Sequence, residues 1–264
     1  MANQTFFDEW VGRIIEFTNT TEPAGWMLEA KYAEGNDQDN PGQYFEYEGL
    51  QGDPSAAYGA FRCRNIYNSD DIAFMRIIMQ IPCAGFEYAT STERARQATD
   101  VLTDMPATEI QCLDTLMKNK CKATPAIRHH EAIKQDGDGM VPGGFLHYIL
   151  MDHAPGVELR RTQTISSPGN HFWSLSFDER ARIRNAFREA WMECRRAGVS
   201  PTRAQLFWDS KFSKVYIVGF NRSDLARPTD IWTDVQWVDW QLADCPYLDG
   251  WSRQTHGNKD RWTL

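Results

Sequence analysis

The chain predicts an α+β fold in two unequal lobes, and three observations carry that prediction. The front half holds short apolar or alternating runs separated by Gly and Pro, which is the pattern of strands and turns. One long amphipathic segment, Phe177 to Ala197, carries the start and stop signals of a helix. Behind it, two short β-rich runs flank a tight polar connection, as in a hairpin. The expected division is an N-terminal sheet-plus-helix lobe over 1–151 and a mainly helical C-terminal lobe over 152–264.

The elements follow in order. Phe6, Phe7, Trp10, Val11, Ile14 and Phe17 recur at three-to-four spacing behind Thr5, so the first segment reads as a helix. Glu34 to Gln43, polar and bearing Gly and Pro, reads as a loop. Tyr44 to Glu48 is aromatic-rich and reads as a strand; the alternating run through Phe61, Cys63, Asn65 and Tyr67 is a second. Ile72 to Ile81 is apolar enough for a central strand, and Pro82 stops it. Thr90 with Glu93 opens a helix to about Asp104; Thr108 with Gln111 opens another, with Ile110, Leu113 and Leu116 on one face. Phe145 to Met151 is a buried strand ended by Ala154-Pro155-Gly156. In the long helix Ser176 and Glu179 form a capping box. Ile183, Phe187, Ala190, Trp191 and Cys194 make its core stripe, and Gly198 sits where a left-handed C-terminal residue belongs. Gln205–Trp208 and Lys214–Phe220 are the hairpin strands, and after Ala226 the Trp- and Asp-rich chain reads as one or two short helices.

Composition narrows the partners. With 42% hydrophobic and 24% charged residues the chain is an ordinary globular one, not disordered, collagenous or coiled-coil. No apolar run approaches the roughly 20 residues of a bilayer span. Asp8 and Glu9 interrupt the apolar start, so no signal peptide is expected. The 28 Lys and Arg against 36 Asp and Glu give a net charge of -8, which repels a nucleic-acid backbone. The arginines between Arg180 and Arg196 are interleaved with Asp178, Glu179, Glu189 and Glu193 and read as a solvated helix face. The six cysteines contain no C-x-x-C pair, so no zinc site is expected. Reduced thiols in an intracellular, cytoplasmic setting are the default, each a small core residue.

The block Phe74-Met75-Arg76-Ile77-Ile78-Met79-Gln80-Ile81-Pro82, then Glu109 on a helix, then Tyr148 to Val157, resembles the small lobe and hinge of fungal protein-kinase-like proteins. Phe172 to Leu175 through Arg188 to Val199 is similar to the large-lobe helix before their catalytic loop. Lys214 to Phe220 is similar to the strand that delivers their metal-binding aspartate. The resemblance covers about residues 44–245 and implies a two-lobed protein-kinase-like fold, a degenerate member of the kinase and aminoglycoside-phosphotransferase superfamily. It places Arg76 at the phosphate-gripping Lys and Glu109 at its partner, although Arg and Lys are not equivalent there. Val199 to Gln205, where the base Asp and a metal-binding Asn are expected, contains neither, and Gly219 occupies the second metal position. Two missing metal ligands and a missing base remove the cation that stabilises a transferring phosphoryl group, so no phosphorylation is expected.

The leading expectation is therefore a cofactor-independent enzyme of fungal specialised metabolism. It would cyclise an apolar small molecule by a cycloaddition-type (Diels–Alder) reaction in an inter-lobe pocket that holds a near-attack conformer. The alternative is a catalytically dead pseudokinase-type binding or scaffold module, and the third is a tRNA-dependent cyclodipeptide synthase. Arg76 and Glu109 are the candidate catalytic pair. Tyr67, Phe74, His147, Met151, Asp152, His153, Trp208, Phe220 and Asn221 are candidate substrate contacts. No metal, cofactor, nucleic-acid or membrane partner is expected. His129-His130-Glu131 reads either as a base-and-orienter cluster or as a loop between strands, and no Gly-x-Ser-x-Gly elbow is present.

Overall fold

A computed structural model describes residues 4–18, 20, 24–38, 54–159, 171–202, 204–245 and 262–264. The chain divides into two compact units, the first over 1–107 and 126–153, the second over 108–125 and 154–264. The strands are β1 (Ile14–Phe17), β2 (Ala24–Asp37), β3 (Ala56–Asn65), β4 (Ile72–Gln80), β5 (Ile127–Lys134), β6 (Phe145–Asp152), β7 (Val157–Glu158), β8 (Val199–Ser200), β9 (Gln205–Asp209), β10 (Lys214–Val218) and β11 (Asp224–Leu225). The helices are α1 (Ser91–Ala95), α2 (Asp104–Lys118), α3 (His171–Ser174), α4 (Phe177–Arg196) and α5 (Val235–Asp239).

The first unit is built on one antiparallel sheet in the order β1-β2-β3-β4-β6-β5. It curls until its two edges meet. The Thr18 backbone N–H donates to Glu131 Oε2 at 3.1 Å, and the Phe17 ring lies 5.2 Å from His129. The curl has a local cause. β2 is 14 residues long and its register against β3 slips twice, between Leu28 and Ala30 and between Lys31 and Ala33. Each bulge adds twist and bends the strand, which is how a sheet is driven toward closure. The enclosed face is filled by Phe7, Trp26, Phe61, Met75, Ile77 and Leu150 among others. The inside is thus a packed core, supplied by alternate residues of β1, the start of β2, β3, β4 and β6.

In the second unit α4 packs its apolar stripe as expected, with Ile183, Phe187, Ala190, Trp191 and Cys194 all buried. The Trp-rich tail closes over that stripe: Trp240 lies 4.9 Å from the Phe187 ring and Trp232 lies 5.5 Å from Trp191. The expected hairpin is β9 and β10, and β7 adds a third strand beside β9. That addition needs a glycine. Gly156 has φ +92°, and a Cβ there would lie 2.0 Å from the Trp208 carbonyl oxygen. Gly198 ends α4 at φ +97°, with its N–H donating to Arg195 O. A short pair, β8 with β11, follows from Ala226 N–H closing onto Gly198 O.

Several expectations are corrected. The protein-kinase-like architecture, with its larger and mainly helical lobe, is contradicted. Among the described residues strand outweighs helix, 33% against 23%, and the dominant element is the nearly closed six-stranded sheet. Phe6 to Phe17 is not a helix; Gly12 turns the chain at φ +91°, and Ile14–Phe17 joins the sheet. Glu34 to Asp37 belongs to β2 rather than to a loop. α1 ends at Ala95, so the helix expected to reach Asp104 is one short, boxed turn. α2 starts at Asp104, four residues before the Thr108 signal. The strand expected over Tyr44 to Glu48 lies outside the described residues.

Candidate functional site

β4 and β6 each place alternate residues on opposite faces of the sheet. Ala73, Met75, Ile77 and Met79 turn into the enclosed core, as do Leu146, Tyr148 and Leu150. The register pairs Phe74 with Met151, Arg76 with Ile149 and Ile78 with His147, so these lie together on the opposite face. The structure thus brings together four expected site residues: Phe74, Arg76, His147 and Met151. β3 adds Tyr58 to the same face. The Arg76 guanidinium lies over the Tyr58 ring at 5.3 Å, and the Tyr58 hydroxyl donates to Asp37 Oδ2 at 2.6 Å. Burial, then the Asp37 hydrogen bond, holds the Tyr58 phenol above its ordinary range. Phe74 is stacked by Tyr32 at 5.8 Å. His147 Nδ1 is 3.3 Å from His130 Nε2, and burial, with the neighbouring His130, lowers its pKa to about 4.

The other expected residues lie elsewhere. Asp152 pairs with Ala73 and is held by Arg128 at 2.5 Å, which also binds Asp71 at 2.7 Å. Tyr67 is 63% exposed in the β3–β4 connection, and His153 follows β6 at the surface. Glu109 belongs to the second unit, on the buried stripe of α2 with Cys112, Leu113 and Leu116, at 2% exposure. Trp208 is buried on β9, where its Nε1–H donates to Glu179 Oε1 at 2.8 Å. Phe220 is buried and Asn221 sits in the turn after it. Arg76 is thus a residue of the first unit, whereas Glu109, Trp208, Phe220 and Asn221 are residues of the second. The His129-His130-Glu131 cluster is strand β5. Alternation sends His129 and Glu131 one way and His130 the other, so no base-and-orienter pair forms.

A cleft of about 550 Å³ opens within the second unit, and sequence reasoning did not single it out. Trp191 from α4 and Trp240 from the end of α5 border it, both almost wholly buried in the core, and Ser200 and Thr202 line it from the short β8 segment and its sequel. The Thr202 N–H donates to Ser223 Oγ at 3.1 Å, and Ser223 is itself buried, which fixes this edge. Gln236 contributes from α5, its Oε1 accepting from Thr233 N at 3.0 Å. Arg222 reaches the cleft from the turn between β10 and β11, is exposed, and has no hydrogen-bond or ion-pair partner among the described residues. The segment 199–205, notable in sequence only for what it lacks, supplies Ser200 and Thr202. The missed signal was Arg222, a lone cation beside Asn221 at the end of a strand.

Among the described residues, no three His, Cys, Asp or Glu side chains converge as metal ligands, and no helix is long and apolar enough to cross a membrane. No protein-family model matches the chain, and no curated protein matches it.

Proposed function

We propose that this chain is a small-molecule-binding protein that takes a planar organic anion in the cleft of its second unit. The observation that carries the reading is Arg222, a guanidinium without a partner among the described residues, at the mouth of a cleft bordered by Trp191 and Trp240. A volume of about 550 Å³ lies within the size of ligand clefts, and a few polar groups on an apolar floor are the usual means of orienting a ligand. The two indoles, packed in the core at 4% and 6% exposure, give the cleft a rigid apolar floor, and Arg222 supplies a forked donor for a carboxylate. Ser200 and Thr202 add hydroxyls that donate or accept.

The test is a fluorescence titration of the intrinsic tryptophans with trans-cinnamate and, beside it, with cinnamamide, which has the same shape without the charge. Cinnamate is expected to bind at least about tenfold more tightly than cinnamamide, and Arg222→Ala to remove that preference, a difference of about 1.4 kcal/mol. Equal binding of acid and amide, or an Arg222→Ala variant that still discriminates them, would contradict the proposal.

A second reading, cofactor-independent cyclisation of an apolar substrate, is favoured by one observation. Arg76 is a cation set among Tyr58, Phe74, Ile149 and Met151 on a single sheet face, suited to polarising a carbonyl. It predicts turnover of a polyene that Arg76→Ala abolishes without lowering Tm; turnover unchanged by Arg76→Ala would exclude Arg76 from it.

A further inference from the structure

Two thiols of the second unit face each other across a fixed gap. Cys121 Sγ lies 3.8 Å from Cys194 Sγ, although the two residues are 73 apart in sequence. Cys121 follows the end of α2 and is half-buried, whereas Cys194 is fully buried on α4. The segment bearing Cys121 is tied down on both sides. The Asn119 side chain donates to Ala197 O at 2.9 Å, Lys122 N–H donates to the Glu193 carboxylate, and Lys214 Nζ donates to Lys122 O. On its far side the Ile217 N–H donates to Ala123 O at 2.8 Å. The segment that carries Cys121 is thus tied beside the end of α4 and to β10 by four hydrogen bonds.

We propose that Cys121 and Cys194 are a dithiol modification site, closed to an intramolecular disulfide by exchange with a low-molecular-weight disulfide such as oxidised glutathione. A disulfide needs sulfurs about 2.05 Å apart, so they must close by less than 2 Å, a shift that side-chain rotation can supply. The order of events follows from access and acidity. Cys121 is the reachable thiol, and the hydrogen bond from Cys194 lowers its pKa, whereas the same bond and burial hold the Cys194 thiol high. The thiolate is the attacking form, so Cys121 reacts first. Its sulfur attacks one sulfur of the glutathione disulfide, that S–S bond breaks, and one glutathione leaves as thiolate. Cys194 then loses its proton, attacks the Cys121 sulfur of the mixed disulfide and expels the second glutathione. Two protein thiols are oxidised, one external disulfide is reduced to two thiols, and the two protons end on the released glutathiones.

The full chain is equilibrated in reduced and oxidised glutathione mixtures, quenched with N-ethylmaleimide under denaturing conditions, and its disulfides mapped by mass spectrometry. The expected product is a loss of 2 Da through a single Cys121–Cys194 crosslink, with Cys63, Cys83, Cys112 and Cys245 recovered as alkylated thiols. Cys194→Ser is expected to stop at one glutathione on Cys121, and Cys121→Ser to leave Cys194 unmodified. Six alkylated thiols in the wild type, or a crosslink through any other cysteine, would overturn the proposal without reference to a variant. A Cys194→Ser protein that takes no glutathione at Cys121 would overturn the assigned order.

Discussion

His147 is a histidine kept neutral by its surroundings. Burial removes water from the imidazolium and His130, 3.3 Å away, opposes a second positive charge, so its folded pKa falls to about 4 from 6.5. In the unfolded chain it takes a proton as pH drops through 6.5, and in the folded protein only near 4. The unfolded state therefore binds more protons between those values. Stability is fully present above pH 6.5 and is lost as pH falls toward 4. Because the ring is partly exposed, the loss is about 1–2 kcal/mol rather than the full shift. Chemical denaturation at pH 7 and pH 4.5 is expected to show that loss in the wild type and a smaller one in His147→Gln; equal losses would remove His147 from the acid sensitivity. Glu179 shows what one residue hides from sequence. Ser176 caps α4 by accepting from Glu179 N at 3.2 Å, as its spacing implied. The Glu179 carboxylate serves other partners, Trp208 Nε1 at 2.8 Å and Arg182 Nη1 at 2.6 Å. A partner 29 residues away is invisible to a local motif. Glu179→Ala is expected to cost about 1–2 kcal/mol in denaturant unfolding, by leaving a buried indole N–H unmet, and Glu179→Gln much less.

At the scale of elements, strongly patterned segments were legible and weakly patterned ones were not. β4, β6, α4, the β9–β10 hairpin and the end of β3 from Phe61 follow directly from their apolar spacing, whereas Ala56 to Gly59, which reads as a turn, begins β3. β2 and β5 were hidden because their sequences, including Lys31-Tyr32-Ala33-Glu34 and Ile127-Arg128-His129-His130-Glu131, are polar; they become strands by pairing, not by propensity. The first segment misled because Phe6, Phe7 and Trp10 fill one end of the sheet's core at a spacing that imitates a helix. Closure of that sheet rests on Glu131, which is buried at 4% exposure and accepts from both the Thr18 N–H and the Thr18 hydroxyl. Glu131→Ala is expected to cost about 2–3 kcal/mol and to raise amide exchange in β1 and β5 before the rest of the sheet; uniform exchange would contradict a role in closure. Gly156→Ala is expected to destabilise the protein by roughly 3 kcal/mol or more in thermal or denaturant unfolding, since a Cβ would collide with the Trp208 carbonyl at a positive φ. A Tm within a degree of wild type would refute that close approach.

For the molecule as a whole, the Trp-rich tail has a structural reason. Trp232 and Trp240 pack on the α4 stripe, and the same packing builds the apolar floor of the cleft. The site residues expected from sequence were legible only in part. Phe74, Arg76, His147 and Met151 share a face because strand periodicity is readable, whereas the cleft arises from the meeting of α4, β8 and α5, which no single segment encodes. A net charge of -8 discourages anions over most of the surface, so an anionic ligand depends on Arg222 for local attraction. The most direct measurement is a two-dimensional NMR titration of the ¹⁵N-indole-labelled protein with cinnamate. The Nε1–H resonances of Trp191 and Trp240 are expected to shift and saturate together, with that of Trp26, in the other unit, unmoved. Saturable shifts at Trp26 with Trp191 and Trp240 silent, or no saturable shift at all, would contradict a ligand site in this cleft.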